Sequence, residues 1–139
     1  MFMLLKMQNQ MPQEIEVWFI IPAIRRELAK NMIEDHKFTQ KLVSEYMGIT
    51  EAAVSQYLNL KRANEVIFTN GILDEIKKSV KVIIENRELL IPEMMRLSKL
   101  TAIKHVMCDI HKKQDVILPE DCNVCIEEDL IQVSKKFNN

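Results

Sequence analysis

Glycine is nearly absent from this chain: two residues in 139, accompanied by four prolines and three cysteines. So few turn-forming positions leave little material for the tight hairpins of an all-β fold, or for a glycine loop that cradles phosphate. Charge of one sign is also missing. Nineteen lysines and arginines nearly balance twenty aspartates and glutamates, for a net −1. Binding nucleic acid by bulk charge alone is excluded, and only a local basic face stays open. No apolar run approaches the roughly 20 residues of a membrane span. MFMLLKM is too short for a signal-peptide core, and no small-residue cleavage site follows it. A cytoplasmic protein without membrane association is expected. There is no Ser-His-Asp pattern and no carboxylate pair set apart from surface charge, so neither an enzyme nor a small-molecule substrate is expected.

What the chain does have is 47% apolar residues, enough for a modest core, with Leu, Ile, Glu and Lys dominant. That composition predicts an all-α protein of one domain, or of one small domain with an appendage. Met1, Met3, Met7 and Met11 crowd the beginning. Residues 1–14 read as a tail, with Met11 an alternative start of translation. Pro12–Glu16 reads as loose, and Val17–Ile21 as a short apolar run compatible with a strand. Pro22 suits the first turn of a helix running to about Asp35. Along it Ile24, Leu28 and Met32 recur every four residues with Ile33 beside them, marking a buried stripe. Arg25, Arg26 and Lys30 fall on other faces, as solvated surface or as phosphate contacts.

The most informative stretch is Thr39–Asn59, TQKLVSEYMGITEAAVSQYLN. Thr39 reads as the N-cap of a helix over Gln40–Met47, with Leu42, Val43 and Met47 inward. Gly48 can take the positive φ that ends this helix and turns the chain. Ile49 plugs the core beneath the turn. Thr50 caps a second helix from Glu51 to about Leu60, whose inner face is Val54, Tyr57 and Leu58. Glu51, Ala52, Ser55, Gln56 and Asn59 are left outward, with Ala53 intermediate. Short side chains near the helix start and hydrogen-bonding groups further along are what reading base edges in a major groove requires.

With Lys61-Arg62 following, this segment resembles the lambda-repressor/Cro-type helix-turn-helix, also called the XRE type. The lead-in IIPAIRRELAK, the phrase VSQYLNLKR and the cysteines below together resemble a subgroup of archaeal predicted transcriptional regulators with a Cys-rich C-terminus. The resemblance spans about Glu14 to Glu127. It implies a phosphate anchor at Gln40 and a recognition face of Thr50, Glu51, Ala52, Ser55, Gln56 and Asn59. Lys37, Lys41, Lys61 and Arg62 are further phosphate contacts on this reading. Where the family often has alanine packing the two helices, this chain has Ser44, whose hydroxyl can bond back to its own helix.

Asn64–Asn70 reads as a loop with Phe68 inward. Leu73, Ile76, Val80 and Ile83/Ile84 mark a fourth helix. Residues 86–106 read as one long fifth helix, started or interrupted by Pro92, with Leu90, Met94, Leu97, Leu100, Ile103 and Val106 at helical spacing. Leu89, Ile91 and Met95 widen its face beyond what one neighbour would cover. Such breadth suits a two-fold dimer, which would match two half-sites on double-stranded DNA.

The three cysteines cluster as Cys108-x2-His111 and Cys122-x2-Cys125. Two such pairs, each pointing its donors at one ion from a tight knuckle, make a Cys3His set suited to zinc. An iron–sulfur cluster with one histidine ligand stays open. His105, one turn before Cys108, is a rival ligand, while His36 reads as surface. Some members of the resembled subgroup carry a further cysteine pair upstream, where this chain has Met95-Arg-Leu-Ser98. That departure favours a single simple site.

The expected architecture is thus a four-to-five-helix lambda-repressor-like domain, a long C-terminal helical hairpin for dimerisation and a small metal-knuckle tail. Its divisions are 1–14 tail, 15–66 DNA-binding, 67–106 dimerisation, 107–127 metal segment and 128–139 flexible tail. The expected function is a dimeric transcriptional regulator, most simply a repressor. The alternatives are a redox- or metal-sensing regulator, and a helical interaction module of the antitoxin or adaptor kind.

Overall fold

A computed structural model describes residues 9–59, 66–114 and 122. Among them the chain forms six helices and no strand. Helix α1 spans 12–34 and is composite. An α-helical turn at Pro12–Ile15 passes into a π-helical stretch at Glu16–Ile20, then into a regular α-helix at Ile21–Glu34. The remaining helices are α2 (Gln40–Met47), α3 (Glu51–Leu58), α4 (Asn70–Glu85), α5 (Leu90–Ser98) and α6 (Thr101–Gln114), with a 3-10 turn at Arg87–Leu89 leading into α5. No helix among the described residues is long and apolar enough to cross a membrane.

Helix α1 is the strut on which the others pack. Its longer part meets α2, α3, α4 and α5, and its beginning meets α6. Ile15, Ile20, Ile24, Leu28 and Met32 are fully buried along it. Each such side chain contributes about 1.5–3 kcal/mol of burial. Opposite them lie Val43 of α2, Val54 of α3, Ile72, Ile76, Val80 and Ile83 of α4, Leu97 of α5 and Ile103 of α6. The stripes expected on the first and fourth helices thus supply the core, except that Ile33, Leu73 and Ile84 are partly buried against it, and Phe68 is buried as expected.

Three features depart from the sequence reading. Pro12–Ile21 is neither loose nor extended but helical. β-branched and aromatic residues there suit a strand only where another strand pairs with them, and no strand exists among the described residues. The run instead buries Phe19 and Ile20 beside Ala23 and Ile24. The π register adjoins Pro22, which has no N–H to donate; the neighbouring Ile21 N–H reaches Glu16 O instead of the usual fourth residue back.

Second, the long helix expected over 86–106 is two helices, broken at Lys99–Leu100. The Ser98 hydroxyl donates back to Met94 O at 2.9 Å, an interaction that bends helices. Lys99 N–H then closes 3-10-like onto Arg96 O and Leu100 N–H onto Leu97 O. No glycine or proline announces this break. Third, Arg26 is not surface: it is 6% exposed. Its Nε donates to Glu27 Oε1 at 3.0 Å, and its guanidinium lies 6.0 Å from the Phe68 ring.

Helices α4 and α5 are fastened by a polar cluster. Arg96 donates through Nη1 to Glu75 Oε2 at 2.7 Å, through Nη2 to the Ser79 hydroxyl at 2.8 Å and through Nε to Glu93 Oε2 at 3.1 Å. Ser79, fully buried, donates in turn to Glu93 Oε2 at 2.6 Å. The Arg96 hydrogen bond, followed by that from Lys78, holds the Glu75 carboxyl below its ordinary range. The same bond to Glu75 raises the Arg96 guanidinium.

Candidate nucleic-acid interface

The hairpin α2–turn–α3 is built by three local devices. The Thr39 hydroxyl accepts from Leu42 N–H at 3.1 Å, and the Thr50 hydroxyl accepts from Ala53 N–H at 3.0 Å. Each satisfies a donor that a helix start leaves unpaired, worth about 0.5–2 kcal/mol relative to alanine. Between them Gly48 adopts φ 64° and ψ 33°, the left-handed conformation that glycine takes without penalty. Its N–H and that of Ile49 both reach Ser44 O, closing α2. Ser44 itself donates to Lys41 O at 2.6 Å, the back-bond expected of it.

The faces follow. Val43 and Met47 of α2 and Val54 and Tyr57 of α3 are buried, with Ile49 packed against them. Gln40, Lys41, Thr50, Glu51, Ala52 and Asn59 are exposed, and Ser55 and Gln56 are partly exposed. Asn59 Nδ2 donates to the Ser55 hydroxyl at 3.3 Å, so these two present their polar atoms together. Ala53, expected at the margin, is buried. Lys61 and Arg62 lie outside the described residues. The outward face of α3 is short at its start and rich in hydrogen-bonding groups at its end. It carries one acid, Glu51, in the first turn.

Two anchors of this hairpin were not foreseen. Arg87, in the 3-10 turn after α4, donates to Glu45 O at 2.6 Å and stacks its guanidinium 5.4 Å from the Tyr46 ring. Glu45 O belongs to the last turn of α2, where carbonyls lack helical partners, and a cation there also complements the helix dipole. Tyr46 is packed edge-on against Phe38 at 5.1 Å. Nothing in the sequence around Arg87 signals a partner 42 residues away. The second anchor is Lys37, whose φ of 59° is left-handed without being glycine. Its ammonium donates to Glu34 O at 2.8 Å, capping α1 just before α2 begins.

The sulfur and imidazole donors are divided. Cys108 and His111 are both buried, three residues apart on α6. They share a helix face and do not sit in the tight knuckle expected of them. The donor chemistry of this pair fits half of a Cys/His zinc set. Cys122 is half-buried and, like Cys108, a free thiol; Cys125 lies outside the described residues. Among the described residues no three His, Cys, Asp or Glu side chains gather closely enough to hold a metal ion. His105, one turn before Cys108, is exposed. No family model, no curated protein and no solved structure matches the chain.

Proposed function

We propose that this protein is a sequence-specific DNA-binding transcriptional regulator of the lambda-repressor/Cro helix-turn-helix type, acting as a dimer and most simply as a repressor. The observation that carries the reading is the capped hairpin around Gly48, with its buried inner face and its small, polar and exposed outer one. On this reading α3 enters the major groove. Gln56, Ser55 and Asn59 read base edges, Ala52 permits close approach, and Thr50 and Glu51 meet the groove's edge. Gln40 and Lys41 at the start of α2 hold phosphates, joined by Lys61 and Arg62. The net charge of −1 is compatible with this because few, placed contacts carry the affinity rather than a broad basic surface. A selection from fragmented genomic DNA with purified protein tests the proposal. Enrichment of one motif with two-fold symmetry supports it, and retention of no fragment even at low salt refutes it.

A second reading adds metal or redox sensing. It draws on the buried Cys108–His111 pair, with Cys122 and Cys125 completing a Cys3His set that would hold zinc or, alternatively, an iron–sulfur cluster. A bound metal there would tie α6 to the segment after it. DNA affinity measured before and after reversible metal removal separates a switch from a staple.

A further inference from the structure

Between α1, α5 and α6 runs a groove of about 420 Å³, within the range of roughly 300–1,000 Å³ that small-molecule sites occupy. Its floor is apolar, with Ile21 of α1, Met94 and Met95 of α5 and Met107 of α6 in the lining. Met94 and Met107 are buried and belong to the core, so the floor is packed rather than loose. Methionine's flexible, polarisable thioether adapts to apolar bodies of different shape. The charges around this floor are unbalanced: Arg25, Lys99 and Lys104 stand against a single acid, Glu16. Helices rise about 1.5 Å per residue, so Glu16 and Arg25 lie roughly 13 Å apart along α1 and the acid does not neutralise that arginine. Lys99 closes α5 and Lys104 stands in the first turn of α6, so two of the cations bracket one corner. Among the described residues neither Arg25 nor Lys99 forms an ion pair. Glu93, another acid of α5, is committed elsewhere, accepting from Ser79 of α4 and from Arg96.

We infer that this groove binds a monomeric amphipathic anion, an apolar body carrying one carboxylate head. The floor and the charges select that chemistry together. A small polar anion would leave the methionine floor facing water. A neutral apolar molecule would leave three cations facing one acid. An amphipathic anion answers both, and cations set beside an apolar wall attract an anion more strongly than cations in open water do. Arg25 offers the planar fork that matches a carboxylate, while Lys99 and Lys104 add point charges. A ligand seated here touches α1, α5 and α6 at once, and Met107 of its floor adjoins Cys108 in the chain. On the regulatory reading above the groove is therefore an effector site. Only that role rests on the reading; the binding itself does not.

The binding is tested without DNA, by titration calorimetry of the full chain with decanoate below its micelle concentration. Saturation is expected below about 1 mM, with one decanoate per chain. Decanol, which keeps the tail and lacks the charge, should bind roughly tenfold more weakly, and decyltrimethylammonium more weakly still. Arg25→Ala and Lys99→Ala should each weaken decanoate about three- to tenfold and leave decanol unchanged. Glu16→Gln should strengthen decanoate, because it removes the one acid of the lining. Met95→Glu, a change at an exposed position, should abolish the binding of both with helical circular dichroism unchanged. No saturable binding of decanoate overturns the inference. So does equal affinity for decanoate and decanol, or equal loss of both in Arg25→Ala and Lys99→Ala, which means apolar adsorption only. Binding to anionic lipid vesicles with none to monomeric decanoate also overturns it, in favour of a membrane surface. Decanoate bound by a protein that retains no DNA leaves the groove standing and removes the hairpin reading; DNA bound by a protein that takes no decanoate does the reverse.

Discussion

Replacing Gly48 by alanine isolates the conformational demand of the turn. At φ 64° an added Cβ meets no atom within 4 Å, so no clash complicates the change. The cost is the left-handed backbone alone, about 1–2 kcal/mol for a residue with a Cβ. Unfolding entropy of about 2.1 cal/mol/K per residue over 139 residues gives roughly 0.3 kcal/mol/K. The expected fall in Tm is thus about 3–7 °C. Gly71 is the internal control. It lies in the first turn of α4, its φ is not positive and its Cβ would also meet open space. Gly71→Ala should therefore stabilise, by about 0.5–1 kcal/mol, through the unfolded chain's lost freedom. Gly48→Asn should cost less than Gly48→Ala, because asparagine tolerates the left-handed region. Thermal unfolding followed by circular dichroism reads all three. If Gly48→Ala leaves Tm unchanged, or if both alanine variants shift it in the same direction, the turn is not held by glycine's conformational freedom and the reasoning fails.

Gln56→Ala should change which sequences are preferred, whereas Lys41→Ala should weaken all DNA alike and lower the salt slope by about 1; equal losses on unrelated sequences in a gel-shift series would undo those roles. Arg96→Met should cost about 1–2 kcal/mol in urea unfolding, less than a deeply buried pair because Arg96 is partly exposed. The Glu75 carboxyl is lowered from its ordinary 4.5, chiefly by the Arg96 hydrogen bond. Its contribution is therefore fully present above that value and is lost as pH falls below it; the acid-side loss should shrink in Arg96→Met, and an unchanged pH profile would contradict the assignment. Lys37→Gly should raise stability by about 0.5–1 kcal/mol by relieving the left-handed lysine, and a lower Tm would mean that its bond to Glu34 O outweighs the strain. Metal analysis should find about one zinc per chain, lost in Cys108→Ser; iron and sulfide with visible absorbance in an anaerobic preparation would replace zinc by a cluster.

What could be read from the sequence was what is local. Thr39, Thr50 and Gly48 act within three or four residues of themselves, so the hairpin, its caps and most of its two faces were legible, with Leu42 only partly buried rather than inward and Ala53 buried rather than marginal. So were the stripes on α1 and α4, where apolar spacing has one interpretation. The rest depends on distance or on competition between local preferences. The break at Lys99–Leu100 arises from the back-bonding of Ser98, with no helix-breaking residue to announce it. The run around Trp18 has strand-like composition, and only its packing against α6 and the core makes it helical. Arg26 looks like surface by type, yet Phe68 and Glu27 enclose it. The Arg87 anchor joins residues that nothing in the chain's pattern connects. At the candidate interface the same division holds, with α3's polar face anticipated and the helical setting of Cys108 and His111 not.

The π-helical stretch of α1 has a consequence for how this helix divides its labour. An α-helix turns by about 100° per residue, so one additional residue in a turn shifts the phase of everything before it by that amount relative to everything after. Upstream of Glu16–Ile20, Ile15 still faces inward; downstream, Ile24 and Leu28 do too; the surplus is absorbed between them, and Val17 and Trp18 are the residues turned out. Deleting Val17 from this stretch would let the helix close into regular α form while leaving Ile15, Phe19 and Ile20 inward. The chain would keep its core and have one outward-facing apolar residue there in place of two. The extra residue thus behaves as an insertion whose effect is to give a core helix a second, external surface.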